Sequence, residues 1–140
     1  MASRPPALDP AVLAAISVGG GLGATARYGV GQWWPVRPGQ FPWSTLTVNV
    51  VGCFALGVLM VVVTEFWSAP LLVRPFLGIG VLGGFTTFST FGLELRTLID
   101  TGSPGTAAAY LGLSVLAGLG AMALAMIGTR WAAGSVGQST

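Results

Sequence analysis

A chain of 140 residues that is 53% hydrophobic and only 7% charged, with a mean hydropathy of +0.79, cannot be an ordinary soluble domain, because so few charges do not cover a water-facing surface. It is expected to be an integral protein of the cell membrane. The net charge of +2, six arginines against Asp9, Glu65, Glu94 and Asp100, is too small and scattered for nucleic acid, and a lone Cys53 with no histidine excludes an internal disulfide or a Cys-based metal site.

Residues 1–10 are polar and proline-bearing and read as a flexible tail. The apolar run that follows continues to Val30, beyond the core of a secretory signal, so a retained first membrane helix is expected over about 11–30. Within it Gly19 and Gly23 have the four-residue spacing that lets another backbone approach closely. Residues 31–43 hold Trp33, Trp34, Pro35, Arg37, Pro38, Pro42 and Trp43, interfacial side chains joined to turn formers, and read as a loop at one membrane face.

A second helix is expected over about 44–64, uncharged throughout, with Thr45, Asn49 and Cys53 on one face at four-residue steps. Asn49 stands out. Its amide is costly in hydrocarbon unless bonded, so it either glues helices together or lines a polar path. After an interfacial turn with Trp67, Pro70 and Arg74, a third helix is expected over about 75–97, broken near 83–87. The break is the most informative stretch: Gly83-Gly84-Phe85-Thr86-Thr87-Phe88-Ser89-Thr90-Phe91 puts glycines and hydroxyls where lipid would demand Leu, Ile and Val. Unwound backbone is tolerated at membrane depth only where protein or a wet cavity receives the freed groups, so this run is a candidate ion site. A fourth helix over about 106–129 places Tyr110, Ser114 and Gly118 in one stripe, and residues 132–140 read as a second flexible tail.

Four spans put both termini on one side. Arg4, Arg74 and Arg130 then fall with the termini and Arg27, Arg37 and Arg96 at or near the opposite face, a tie of three against three. Because Lys/Arg asymmetry fixes orientation, the chain has no evident preference, and insertion in both directions invites an antiparallel dimer with its twofold axis in the membrane plane. The expected fold class is therefore an all-α membrane protein of four transmembrane helices, the third broken, assembled as a dual-topology antiparallel dimer.

Three elements together resemble the Fluc (CrcB) family of fluoride ion channels: Gly23-Ala24-Thr25-Ala26-Arg27-Tyr28 after the glycine cluster, Thr45-Leu46-Thr47-Val48-Asn49-Val50-Val51-Gly52-Cys53-Phe54 opening helix two, and the run Gly83 to Phe91. The resemblance spans about Gly19 to Arg130. It implies a small dimer that passively lets fluoride leave the cytoplasm and so protects against fluoride toxicity. It assigns Phe88 and Phe91 as pore phenylalanines, Asn49 as the donor beside them, and Tyr110 and Ser114 to a polar track, with Ser89 and Thr90 adding hydroxyls to the pore wall. It further implies a structural Na+ at the dimer centre, held by the backbone carbonyls of Gly83 and Thr86, and an identical or paralogous partner subunit. Arg27 and Glu94 are expected at the vestibule, Arg27 in a structural or mouth-lining role. Ser44 stands where the family more often has Gly, and Gly118 where a further hydroxyl occurs.

The chemistry makes sense independently. Fluoride is small and strongly hydrated, so a pore must replace its water with donors without binding it too tightly for release. Neutral donors and the electropositive edges of phenylalanine rings supply graded attraction that a buried Lys or Arg would turn into a trap. The residues alone leave chloride, fluoride or even a cation open as the permeant species; the resemblance selects fluoride. Read singly, Phe88 and Phe91 would more often pack or face lipid, and Tyr110 would be an interfacial anchor. A small multidrug-type proton-coupled antiporter is the alternative, but it needs a titratable carboxylate deep in a span, where none of the four acids falls. An enzyme is not expected: there is no His, no Lys and no paired carboxylate to activate Ser89 or Thr90.

Overall fold

The computed structural model describes residues 9–136, and every described element is helical. The expectations placed on residues 1–8, Arg4 among them, and on residues 137–140 lie outside the described residues.

Helix α1 (Pro10–Trp33) begins where Asp9 Oδ1 accepts the Ala11 N–H at 2.8 Å and Pro10 occupies a position whose missing amide costs nothing. It runs three residues past Val30, so Gly31, Gln32 and Trp33 are helical rather than part of the loop. Helix α2 (Trp43–Val61) widens at its end into an i→i+5 turn, Val62–Phe66. Helix α3 (residues 74–85) enters in the same wide winding over Arg74–Leu82 and closes in one α turn, Gly83–Phe85. Thr86 and Thr87 are extended, at ψ 159° and 122°, before α4 (Phe88–Asp100) resumes the helix. Helix α5 (Pro104–Val136) continues through Trp131 and Ala132 to Val136, into the stretch expected as tail. Alanine favours helix there, and Arg130 is fixed by both carboxylate oxygens of Glu65, at 2.7 Å from Nη2 and 2.9 Å from Nε to Oε1 and 3.1 Å from Nε to Oε2.

Among the described residues three helical stretches are long and apolar enough to cross a membrane: Trp43–Phe66, Arg74–Asp100 and Pro104–Gly134. The chain is a multi-pass integral membrane protein. Helix α1, at 24 residues, has the length for a span. Its glycines and Arg27 dilute its hydropathy, which is why it stands apart from the other three.

Packing follows the small residues. Helix α1 lies along α3, and α2 along α5. A Cβ on Gly80 would stand 3.0 Å from Gly19 Cα, and one on Gly23 would collide with Val81 O and stand 2.7 Å from Phe85 N. The two backbones therefore touch directly, as small residues at four-residue spacing allow. On the other side a Cβ on Gly57 would stand 2.7 Å from Met122 O, which seats α2 against α5. The buried cluster of Leu46, Phe91, Leu98, Ala107 and Tyr110 ties α2, α4 and α5 together.

Candidate ion site

The break between α3 and α4 has a local cause and a tertiary one. Gly83 and Gly84 are poor helix formers, and Thr87 offers a cap: its Oγ1 accepts the Thr90 N–H at 3.1 Å and starts α4 afresh. Asn49 on α2 then holds the extended residue from the side. Its Oδ1 accepts the Thr87 N–H at 2.8 Å while its Nδ2 donates to Thr87 C=O at 3.0 Å. The amide does act as glue between spans, and it does so at the unwound backbone itself.

These two diversions free two carbonyls. In a continuous α-helix the Thr87 N–H would bond Gly83 C=O and the Thr90 N–H would bond Thr86 C=O; here the first goes to Asn49 and the second to Thr87 Oγ1. Neighbouring carbonyls are satisfied otherwise. Leu82 O accepts both Thr86 N–H, at 3.0 Å, and Thr86 Oγ1, at 2.9 Å, and Gly84 O accepts Arg27 Nε at 3.2 Å. Arg27 thus reaches back to the break from α1 instead of standing free in the opening.

A cavity of about 350 Å³ adjoins the break, lined among others by Asn49, Gly83, Thr86, Phe88, Phe91 and Ser114. Phe88 is 84% exposed and Phe91 only 7%, with ring centroids 5.8 Å apart and planes tilted by 45°. Ser114 Oγ is buried and has no hydrogen-bond partner among the described residues. One Asn49 Nδ2 hydrogen also remains after the bond to Thr87. This side therefore presents neutral donors, ring edges and freed carbonyls.

Tyr110 does not join Ser114 in that cavity. It is fully buried on the far side of Phe91, ring centroids 5.0 Å apart, and its hydroxyl donates to Glu94 Oε2 at 2.7 Å. Thr45 Oγ1 donates to the other carboxylate oxygen at 2.8 Å. Glu94 is consequently a half-buried acceptor of two hydroxyls, more enclosed than an ordinary interfacial acid. A second cavity, about 280 Å³, contains Glu94 with Arg27, Tyr28, Thr45, Thr87 and Thr90 on its wall. Ser89 is exposed, its Oγ 3.4 Å from Thr87 Oγ1. Sequence reasoning gave no role to Thr45 or Thr87. Thr45 carried a signal, one turn before Asn49 on the same face; for Thr87 the residue type carried none, since the extended backbone and the Asn49 bonds that set it apart appear only in the fold.

The comparisons agree with this architecture. Residues 14–128 match the family model described as CrcB-like protein, Camphor Resistance (CrcB). A Nocardia farcinica protein named Fluoride-specific ion channel FluC 2 is 57% identical over 133 residues, 95% of each chain. Fluoride-specific ion channel FluC 1 of Streptomyces coelicolor is 52% identical over 87% of this chain and 77% of its own length. Fluoride-specific ion channel FluC of Rhodospirillum centenum is 45% identical over 84% of this chain and 96% of its own. With the match covering most of the molecule, including the broken span and the asparagine that grips it, the chain belongs to the CrcB family.

Proposed function

We propose that the protein is a fluoride-selective channel, not an enzyme, through which fluoride leaves the cytoplasm passively. Its relatives carry that name, and the proton-coupled antiporter finds no support among them. The observation that carries the reading is the grip of Asn49 on Thr87, which opens a membrane span beside a cavity furnished with uncharged donors. A dehydrating halide meets the spare Asn49 N–H, the Ser114 hydroxyl and the electropositive edges of Phe88 and Phe91, each too weak alone to trap it. Thr45, Thr90 and Glu94 line the second cavity, and Tyr110, buried behind them, holds Glu94 through its hydroxyl. Ser89 adds a hydroxyl at the start of α4.

In this reading the working unit is a dimer of four-span subunits inserted in opposite directions, the partner being an identical or paralogous chain. The balance of arginines and the exposed Phe88 support it. The Gly83 and Thr86 carbonyls, deprived of their helical amides, fit the hard oxygen donors that a sodium ion takes. When bound, the ion would satisfy freed backbone groups and lend positive charge near the anion path.

Fluoride efflux from liposomes holding only the purified chain tests the proposal. Rapid efflux is expected for the wild type, with strong loss in Phe88→Ile. Absence of wild-type efflux, restored by a related chain, would replace the homodimer by a heterodimer; absence under both conditions would end the channel reading. Replacing Na+ by N-methylglucamine throughout purification should lower the melting temperature, and an unchanged value would remove the sodium from the scheme.

A further inference from the structure

The loop between α1 and α2 is a built structure. Gln40 N–H donates to Arg37 C=O at 3.1 Å, closing a reverse turn over Arg37, Pro38, Gly39 and Gln40. Pro38 fixes the first central residue and Gly39 supplies φ +78° at the second, as a type II turn requires. The turn lies over α4. An open cleft of about 280 Å³ lies between Arg37, Gly39 and Gln40 on the loop and Thr90, Glu94 and Thr97 on the helix. Val36, Thr90 and Glu94 also line the cavity that contains Arg27, so the two spaces meet at Glu94 with one arginine on each side.

The two arginines are held differently. Arg27 is tied through Nε to Gly84 O, whereas the exposed Arg37 side chain has no hydrogen-bond or ion-pair partner among the described residues. Nearby Arg96 is neutralised by Asp100 at 2.8 Å. Counting Arg27, Arg37 and Glu94, the formal charge around this mouth is positive, and it owes that sign to Arg37.

We infer that Arg37 is an outer anion-collecting residue: its guanidinium, carried on the proline-glycine turn, gathers halide at the mouth before the ion reaches Glu94 and the neutral donors behind it. This rests on the channel reading above. A charge held at a concave mouth raises the local concentration of a counter-ion and hence its rate of entry. It acts over about 10 Å at 0.1 M salt and fades as salt rises. The residue therefore governs entry at low fluoride and leaves the maximal current alone.

The test is initial fluoride efflux from liposomes at fluoride well below saturation, in about 10 mM and about 500 mM potassium isethionate, for wild type, Arg37→Gln, Arg37→Glu and Arg37→Lys. At low salt Arg37→Gln should slow efflux about two- to fivefold and Arg37→Glu more, Arg37→Lys should restore it, and the differences should collapse at high salt. Saturating fluoride should give equal rates for all four. Equal rates for wild type and Arg37→Gln at both ionic strengths overturn the inference while leaving the channel intact. A loss that persists at high salt, or that Arg37→Lys fails to restore, overturns it too, because it identifies damage to the turn. Absence of wild-type efflux is a failure of the channel reading instead.

Discussion

Asn49 and Thr87 are joined by two hydrogen bonds, the side-chain amide of one accepting from and donating to the two peptide groups that flank the other, at 2.8 and 3.0 Å. The pairing resembles one rung of a sheet ladder, with a side chain in place of the neighbouring strand. It keeps two backbone groups satisfied that the break takes out of the helical ladder.

Replacing Asn49 by Asp keeps the acceptor for Thr87 N–H and removes the donor for Thr87 C=O. Leaving a part-buried carbonyl unpaired costs about 1–3 kcal/mol, and the new negative charge repels a halide. Asn49→Asp should therefore lose both stability and nearly all fluoride flux. Asn49→Leu should lose comparable or greater stability. Denaturant titration in micelles alongside liposome efflux measures both, and a wild-type flux in Asn49→Asp would dissociate the grip from conduction.

Ser114 separates structure from transport. Its buried Oγ has no partner among the described residues, so removing it relieves an unsatisfied group rather than breaking a bond. Ser114→Ala should be as stable as wild type, or slightly more so, yet carry less fluoride, by about tenfold if the hydroxyl supplies one net hydrogen bond of roughly 1.4 kcal/mol to the passing ion. Unchanged flux in a folded Ser114→Ala protein would remove this residue from the path.

The contact of α1 with α3 is direct backbone contact, which makes Gly23 intolerant. A Cβ there runs into Val81 O, whereas one on Gly21 meets nothing within 4 Å. Gly23→Ala should destabilise by about 1–3 kcal/mol, typical of overpacking, while Gly21→Ala should be neutral or slightly stabilising through its better helix propensity. Because Arg27 reaches Gly84 from the same helix, a shift of α1 should also reduce flux in Gly23→Ala. Thermal unfolding of the two variants side by side decides the point.

Much of the protein was legible in its residues. Apolar runs and interfacial tryptophans define the helices, because lipid imposes a length and a composition that periodicity reveals. Gly83-Gly84 with the following hydroxyls announces an interruption, and the structure places it at Thr86 and Thr87. Asn49 announces that it must be bonded. Helix ends were less legible: Trp33 and Val136 lie beyond the expected limits, and near the end of α5 the pairing of Glu65 with Arg130 holds the helix in a way that residue order does not show.

Sequence by itself determined the solvent this chain lives in, the family it belongs to and the segment where a membrane helix must yield, because each depends on residue type and order. Tertiary structure alone decided which hydroxyls meet which acceptors. Tyr110 and Ser114 lie one turn apart on the same helix, yet the packing of Phe91 between α2 and α5 sends one to Glu94 and leaves the other, a residue of the cavity wall, with a buried hydroxyl that has no partner among the described residues. That division among the described residues cannot be read from spacing, because hydrogen bonding is directional and short, and the partners are brought within reach only when separate helices close around a common core.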